Sequence, residues 1–179
     1  MSESVAILLY LAEKYKLPDH WYPANLEKRA KINEFLYWHV NVIRPLLVQD
    51  FWLKVMAPTL LQRNAPAEKL EAVAQEFNAA LDQFEKIFLQ GKPYISGKEI
   101  SVADVVSFCD LVQASRTGQN MFEERPKIAA WRQNVESHLG MELIDEAHKA
   151  ALSAGSYSKD SMDPKGVEWL TARVKLLLL

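Results

Sequence analysis

An all-α fold is what this sequence predicts, on three observations. Apolar residues recur at three- and four-residue spacing through nearly every segment, two-residue alternation is almost absent, and proline and glycine collect between the periodic stretches. The first helix is expected over residues 2–16, with Val5, Leu8, Leu9 and Ala12 on one face. Side-chain oxygens of Ser2, Glu3 and Ser4 stand at its head, where a cap belongs, and the free amide hydrogens of such a helix end attract an anion. Leu17-Pro18-Asp19-His20-Trp21-Tyr22-Pro23 then supplies a proline-bounded connection. From Asn25 a long helix carries Ile32, Phe35, Leu36, His39, Val42, Ile43 and Leu46 as a core stripe. Pro45 withholds the amide hydrogen that the Asn41 carbonyl would accept, so this helix should bend near Asn41.

Leu70, Val73, Phe77, Leu81, Phe84 and Phe88 form the next stripe, with Asn64 and Pro66 where a cap and a first-turn proline belong. Gln90-Gly91-Lys92-Pro93 ends it, and Ile100-Ser101-Val102-Ala103-Asp104-Val105 starts another helix. Here Ser101 caps, Asp104 takes the reciprocal N3 place and Ile100 can staple to Val105, a structural rather than a catalytic assignment. Pro126 opens a helix with Ile128, Trp131, Val135 and Leu139 inward, another follows from Glu142, and after Gly155-Ser156 a last one carries Val167, Leu170 and Val174.

With 179 residues, 49% of them hydrophobic, the chain has material for a real core, and its net charge of −2 excludes broad attraction to nucleic acid or anionic lipid. A single cysteine, Cys109, excludes an intrachain disulfide, and no leader pattern follows Met1, so a reducing cytoplasmic location is expected. No apolar run approaches the roughly 20 residues that span a bilayer, although Leu176 to Leu179 is an unusual ending. Cys109 shares a stripe with Val105, Phe108 and Val112 and reads as a buried small hydrophobe. His20, His39, His138 and His148 are scattered, so no metal is expected, and no glycine-rich phosphate cradle occurs. Glu123-Glu124 beside Arg125 reads as a solvated charge cluster. Tyr37, Asn41, Arg44, Val48 and Trp52 recur at helical spacing on a face apart from the core stripe, which fits a cleft wall or a solvated face.

Glu3-Ser4-Val5-Ala6-Ile7 with Leu11, the capped Ile100-Ser101-Val102-Ala103-Asp104, and Arg125-Pro126-Lys127-Ile128-Ala129-Ala130-Trp131-Arg132 together resemble cytosolic glutathione transferases. Trp21-Tyr22-Pro23 and Trp52-Leu53-Lys54-Val55-Met56 are similar to the theta class in particular. The likeness runs in unbroken order from residue 3 to about residue 154 and then thins to the surroundings of Trp169. It implies a multi-helix bundle of the transferase C-terminal type, without most of the N-terminal thioredoxin-like domain. Residues 1–17 would be the last helix of that domain, 18–24 a linker, 25–154 the helical domain and 155–179 a tail with a lid-like helix. The resemblance assigns glutathione binding to Glu3 and Ser4, facing the amino and carboxylate groups of the γ-glutamyl end. It assigns the electrophile pocket to Arg44, Trp52 and Trp169, while ordinary packing remains an equal reading of Trp169, with Arg173 one turn further on. The thiol-activating serine would lie in the absent domain, so no catalytic residue is expected here. The implied activity joins the thiol of glutathione, a co-substrate, to small electrophiles. Little turnover is expected from this chain alone, along with a homodimer weakened by truncation. A non-catalytic interaction or dimerisation module is the alternative, because Val5, Leu8, Leu9 and Ala12 would be left uncovered.

Overall fold

Helix follows helix through the computed structural model, which describes residues 1–114, 122, 124–153 and 159–178. Among these, extended pairing is limited to a single bridge between Tyr94 and Gly97. Glu123, the boundary at 154/155, Gly155, Ser156 and Leu179 lie outside the described residues.

Helix α1 is Ser4–Lys14 and starts two residues later than the sequence predicts. Glu3 precedes it at φ 69 with no side-chain cap, so the expected capping oxygens do not close this end. The apolar face of α1 is partly covered rather than bare: Ala12 is buried, and Val5, Leu8 and Leu9 are half-buried against the main core. The connection after α1 is stitched down by side chains as well as prolines. Trp21 O accepts from Val102 N at 3.0 Å, His20 Nδ1 lies 2.8 Å from Ile100 O, and Arg29 reaches both Pro23 O at 2.7 Å and Glu13 at 3.0 Å.

Helix α2, Leu26–Asn41, opens with Asn25 Oδ1 accepting from Lys28 N at 3.0 Å, a side-chain cap. The expected bend is a full interruption: α2 ends at Asn41 and α3, Ile43–Phe51, resumes after Val42. Asn41 Nδ2 turns back onto Tyr37 O at 2.7 Å beside the carbonyl that Pro45 cannot serve. A π-helical run, Trp52–Met56, leads into the short α4, Ala57–Leu61. Helix α5, Ala67–Gln83, continues as a second π-helical run, Phe84–Leu89, and stops where Gln90 and Gly91 turn left-handed at φ 51 and 78. Pro66 sits just before the first turn of α5 with no side-chain cap, so Asn64 does not play that part. Helices α6 (Val102–Ala114), α7 (Pro126–Leu139), α8 (Met141–Ser153) and α9 (Pro164–Leu177) complete the order, α9 being capped by Asp163 Oδ2 on Gly166 N at 2.9 Å. None of the described helices is long and apolar enough to cross a membrane.

The main core joins α2, α5, α6 and α7 through Ile32, Phe35, Leu81, Phe84, Leu111 and Trp131. At its centre Asp104 does more than cap. Its Oδ2 accepts from Ser101 N and Ser101 Oγ, both at 2.9 Å, and its Oδ1 accepts from Ile95 N at 2.8 Å and Trp131 Nε1 at 2.9 Å. One carboxylate thus ties the start of α6 to the preceding loop and to α7. Burial pushes this carboxyl up while the donors pull the other way. Arg125 also departs from the expected solvated cluster, being mostly buried against Asp82 at 2.8 Å and Glu85 at 3.6 Å. A smaller apolar cluster of Met56, Ala57, Leu60 and Val174 holds α9 against α4.

Candidate functional site

Where α1 leans on α2 and α3, a cleft of about 380 Å³ opens between Glu3, Val5 and Leu9 on one side and Asn33, Tyr37, Val40 and Arg44 on the other. Its walls are mostly apolar, and Glu3 and Arg44 bring opposite charges to its lining. Tyr22 closes the floor with its hydroxyl donated to Asn33 Oδ1 at 3.1 Å. Arg44 Nη1 donates to Ser4 Oγ at 3.4 Å, so the start of α1 meets a guanidinium from a segment 40 residues away.

Behind Arg44 lies a charged network drawn from three helices. Asp110 of α6 accepts on one oxygen from Arg44 Nε at 2.9 Å and lies 2.9 Å from Nε2 of His39 on α2. Burial by itself would raise the Asp110 carboxyl, but the hydrogen bonds of His39 and Arg44 outweigh it and hold it below the ordinary carboxylate range. His39 is wholly buried, and its Nδ1 has no hydrogen-bond partner among the described residues.

Glu3, Ser4 and Arg44 therefore come together, whereas Trp52 and Trp169 do not join them. Trp52 is half-buried against the cluster that holds α9, and Trp169 points away from that packing with 64% of its surface exposed. The break at Val42 separates Tyr37 and Asn41 on α2 from Arg44, Val48 and Trp52, so the five residues expected on one face meet different surroundings. Tyr37 and Arg44 line the cleft, Asn41 folds onto the backbone, and Val48 faces solvent. Arg173 is exposed. Cys109 is half-buried rather than fully enclosed, and burial, with Asp110 beside it, pushes its thiol up. Among the described residues no group of three or more potential metal ligands forms.

Asp110 is the site residue that sequence reasoning missed. The signal was present: Asp110 lies three residues after Ser107 and four after Val106, both buried on the inner face of α6, where an unpaired acid would be costly. His39 was visible within the core stripe, but its partner was 71 residues away.

The fold agrees with that of known proteins. The family model for the glutathione S-transferase C-terminal domain matches residues 43–138. Chicken (Gallus gallus) glutathione S-transferase theta-1 is 42% identical over 170 residues, 95% of this chain and 65% of that protein. Mouse (Mus musculus) glutathione S-transferase theta-3 is 42% identical over 181 residues, 99% of this chain and 73% of that protein. A crystal structure of human glutathione transferase theta-2 in complex with glutathione superposes with a TM-score of 0.89 at 36% identity, covering 99% of this chain and 74% of that one. The chain belongs to the theta class of the glutathione S-transferase family. It spans 65% of the chicken relative and 73% of the mouse relative, and spans of that size do not support the expectation that an N-terminal domain is lacking.

Proposed function

We propose that this chain takes part in joining the thiol of glutathione to small electrophiles, with glutathione held at the start of α1 and the electrophile beyond it. Glu3 faces the ammonium of the γ-glutamyl end, while Ser4 and the amide hydrogens of α1 face its carboxylate. Arg44 borders both ends, reaching Ser4 beside the carboxylate and opening the electrophile wall. Trp52, packed with α9 away from Arg44, completes that wall, and Trp169 becomes the aromatic of a lid when α9 shifts. The observation that carries the reading is the meeting of Ser4 with Arg44 in a cleft that also holds Glu3, since a zwitterionic ligand end needs both signs within reach. The human theta-2 relative holds glutathione in its crystal structure, which supports the same ligand here. A cytoplasmic homodimer, with residues 1–17 as part of a glutathione-binding unit, 18–24 as linker, 25–154 as helical domain and 155–179 as lid segment, completes the proposal.

Within the proposed site the Tyr22 hydroxyl is donated to Asn33, and Ser4, which accepts from Arg44, keeps its own proton for the ligand carboxylate, which assigns no hydroxyl to the glutathione sulfur. Binding without efficient thiolate formation is therefore the proposed behaviour of residues 1–179 by themselves. The test is a thiol-conjugation assay paired with retention on immobilised glutathione. Retention with little turnover supports the proposal. Ordinary transferase turnover removes the claim of inactivity, and loss of retention removes the binding site.

A further inference from the structure

The cleft presents Arg44 through a support that none of the relatives' names describes. Arg44 has five donor hydrogens in a rigid fork, and a free arginine side chain on an exposed helix face samples many rotamers. Here the Nε edge of the fork is spent on Asp110 Oδ2 at 2.9 Å, and the same oxygen lies 2.9 Å from His39 Nε2. His39 has no exposed surface and stacks on Phe35 at 5.5 Å between ring centroids, so this end of the chain of contacts is fixed by the core. Asp110 keeps 19% of its side-chain surface and Arg44 keeps 31%, so the network runs from full burial to the cleft wall through three residues. With Nε anchored, the terminal nitrogens are aimed toward Ser4 and the cleft.

We propose that Asp110 is a positioning residue for Arg44, with His39 as its buried brace, so that the guanidinium meets an anionic or polarisable ligand group without first losing rotamer freedom. This rests on the glutathione-cleft reading given above. Prepaying that ordering before the ligand arrives improves affinity without any direct contact from Asp110.

A double-mutant cycle on the full chain tests it, with S-hexylglutathione as the probe in a calorimetric titration. Asp110→Asn should weaken probe binding roughly tenfold in the parent background and leave it unchanged in an Arg44→Ala background, because nothing then remains to be aimed. Arg44→Lys keeps the cation but has no Nε to anchor, and should match Asp110→Asn, which keeps the test alive if the buried Asn variant does not fold. Equal losses from Asp110→Asn in both backgrounds would assign it a general structural role and overturn the proposal. Parent-like affinity in Arg44→Lys would overturn it as well. Binding that falls in Arg44→Ala but not in Asp110→Asn defeats the positioning role while sparing the cleft. No probe binding by the parent chain defeats both.

Discussion

Arg44 and Trp52 stand eight residues apart on a stretch that the sequence reads as one helix face, yet they are held by different physics. Arg44 is fixed by a charged network that ends on α6 and so shares the stability of the main core. Trp52 sits in the small apolar cluster around Leu60 and Val174, where Val174 is the residue of α9 that is fully buried. Directional bonds at one end specify an orientation, while a narrow apolar contact at the other permits α9 to move at modest cost. In the proposed site this gives a rigid recognition end and an adjustable wall.

The largest blow to the rigid end should come from Asp104→Ala, although Asp104 does not touch the cleft. The substitution strands Ile95 N, Trp131 Nε1 and Ser101 N in the core and should cost about 4 kcal/mol in denaturant unfolding. A loss below about 1 kcal/mol would mean that α6 is not pinned where the network needs it. Leu60→Ala should act on the other end, costing about 3 kcal/mol. Its effect on hydrogen exchange should be faster opening of α9 with α6 unchanged, and uniform acceleration of both would erase the distinction between the two ends. Smaller still is the pH-dependent part of the Arg44 end. Asp110 has a folded value below its unfolded one, so its contribution is complete above about pH 5 and is lost as pH falls through 4 toward the folded value. The stability gap between the parent and Asp110→Asn, about 2 kcal/mol at neutral pH, should therefore shrink on acidification. A gap constant from pH 7 to pH 3 would show that the carboxylate is not held by its partners.

Periodicity was enough to read the bundle, because stripes such as Ile32, Phe35 and Leu36, or Ile128, Trp131 and Val135, repeat whichever way the helices later pack. The proline arguments were legible in kind but not in degree: Pro45 announces a disturbance, and only the packed chain shows α2 stopping at Asn41. The two π-helical runs left no local mark, and the break at Val42 divides the face that Tyr37, Arg44 and Trp52 were expected to share. Of the proposed site, Glu3, Ser4 and Arg44 were named from the sequence, and the structure brings these three together. Asp110 was not, since its partners lie 66 and 71 residues away and a single acid on a helix reveals nothing of them. Asp104 was recognised as a cap from its neighbour Ser101, whereas its bond to Trp131, 27 residues on, belongs to tertiary structure.

The most direct measurement is a calorimetric titration of glutathione itself into the chain and into its Arg44→Ala variant. Saturable binding of one glutathione per cleft, weakened about tenfold when the guanidinium is removed, is the expected result. Equal affinity in the two proteins, or no heat in either, would contradict a glutathione site framed by the start of α1 and Arg44.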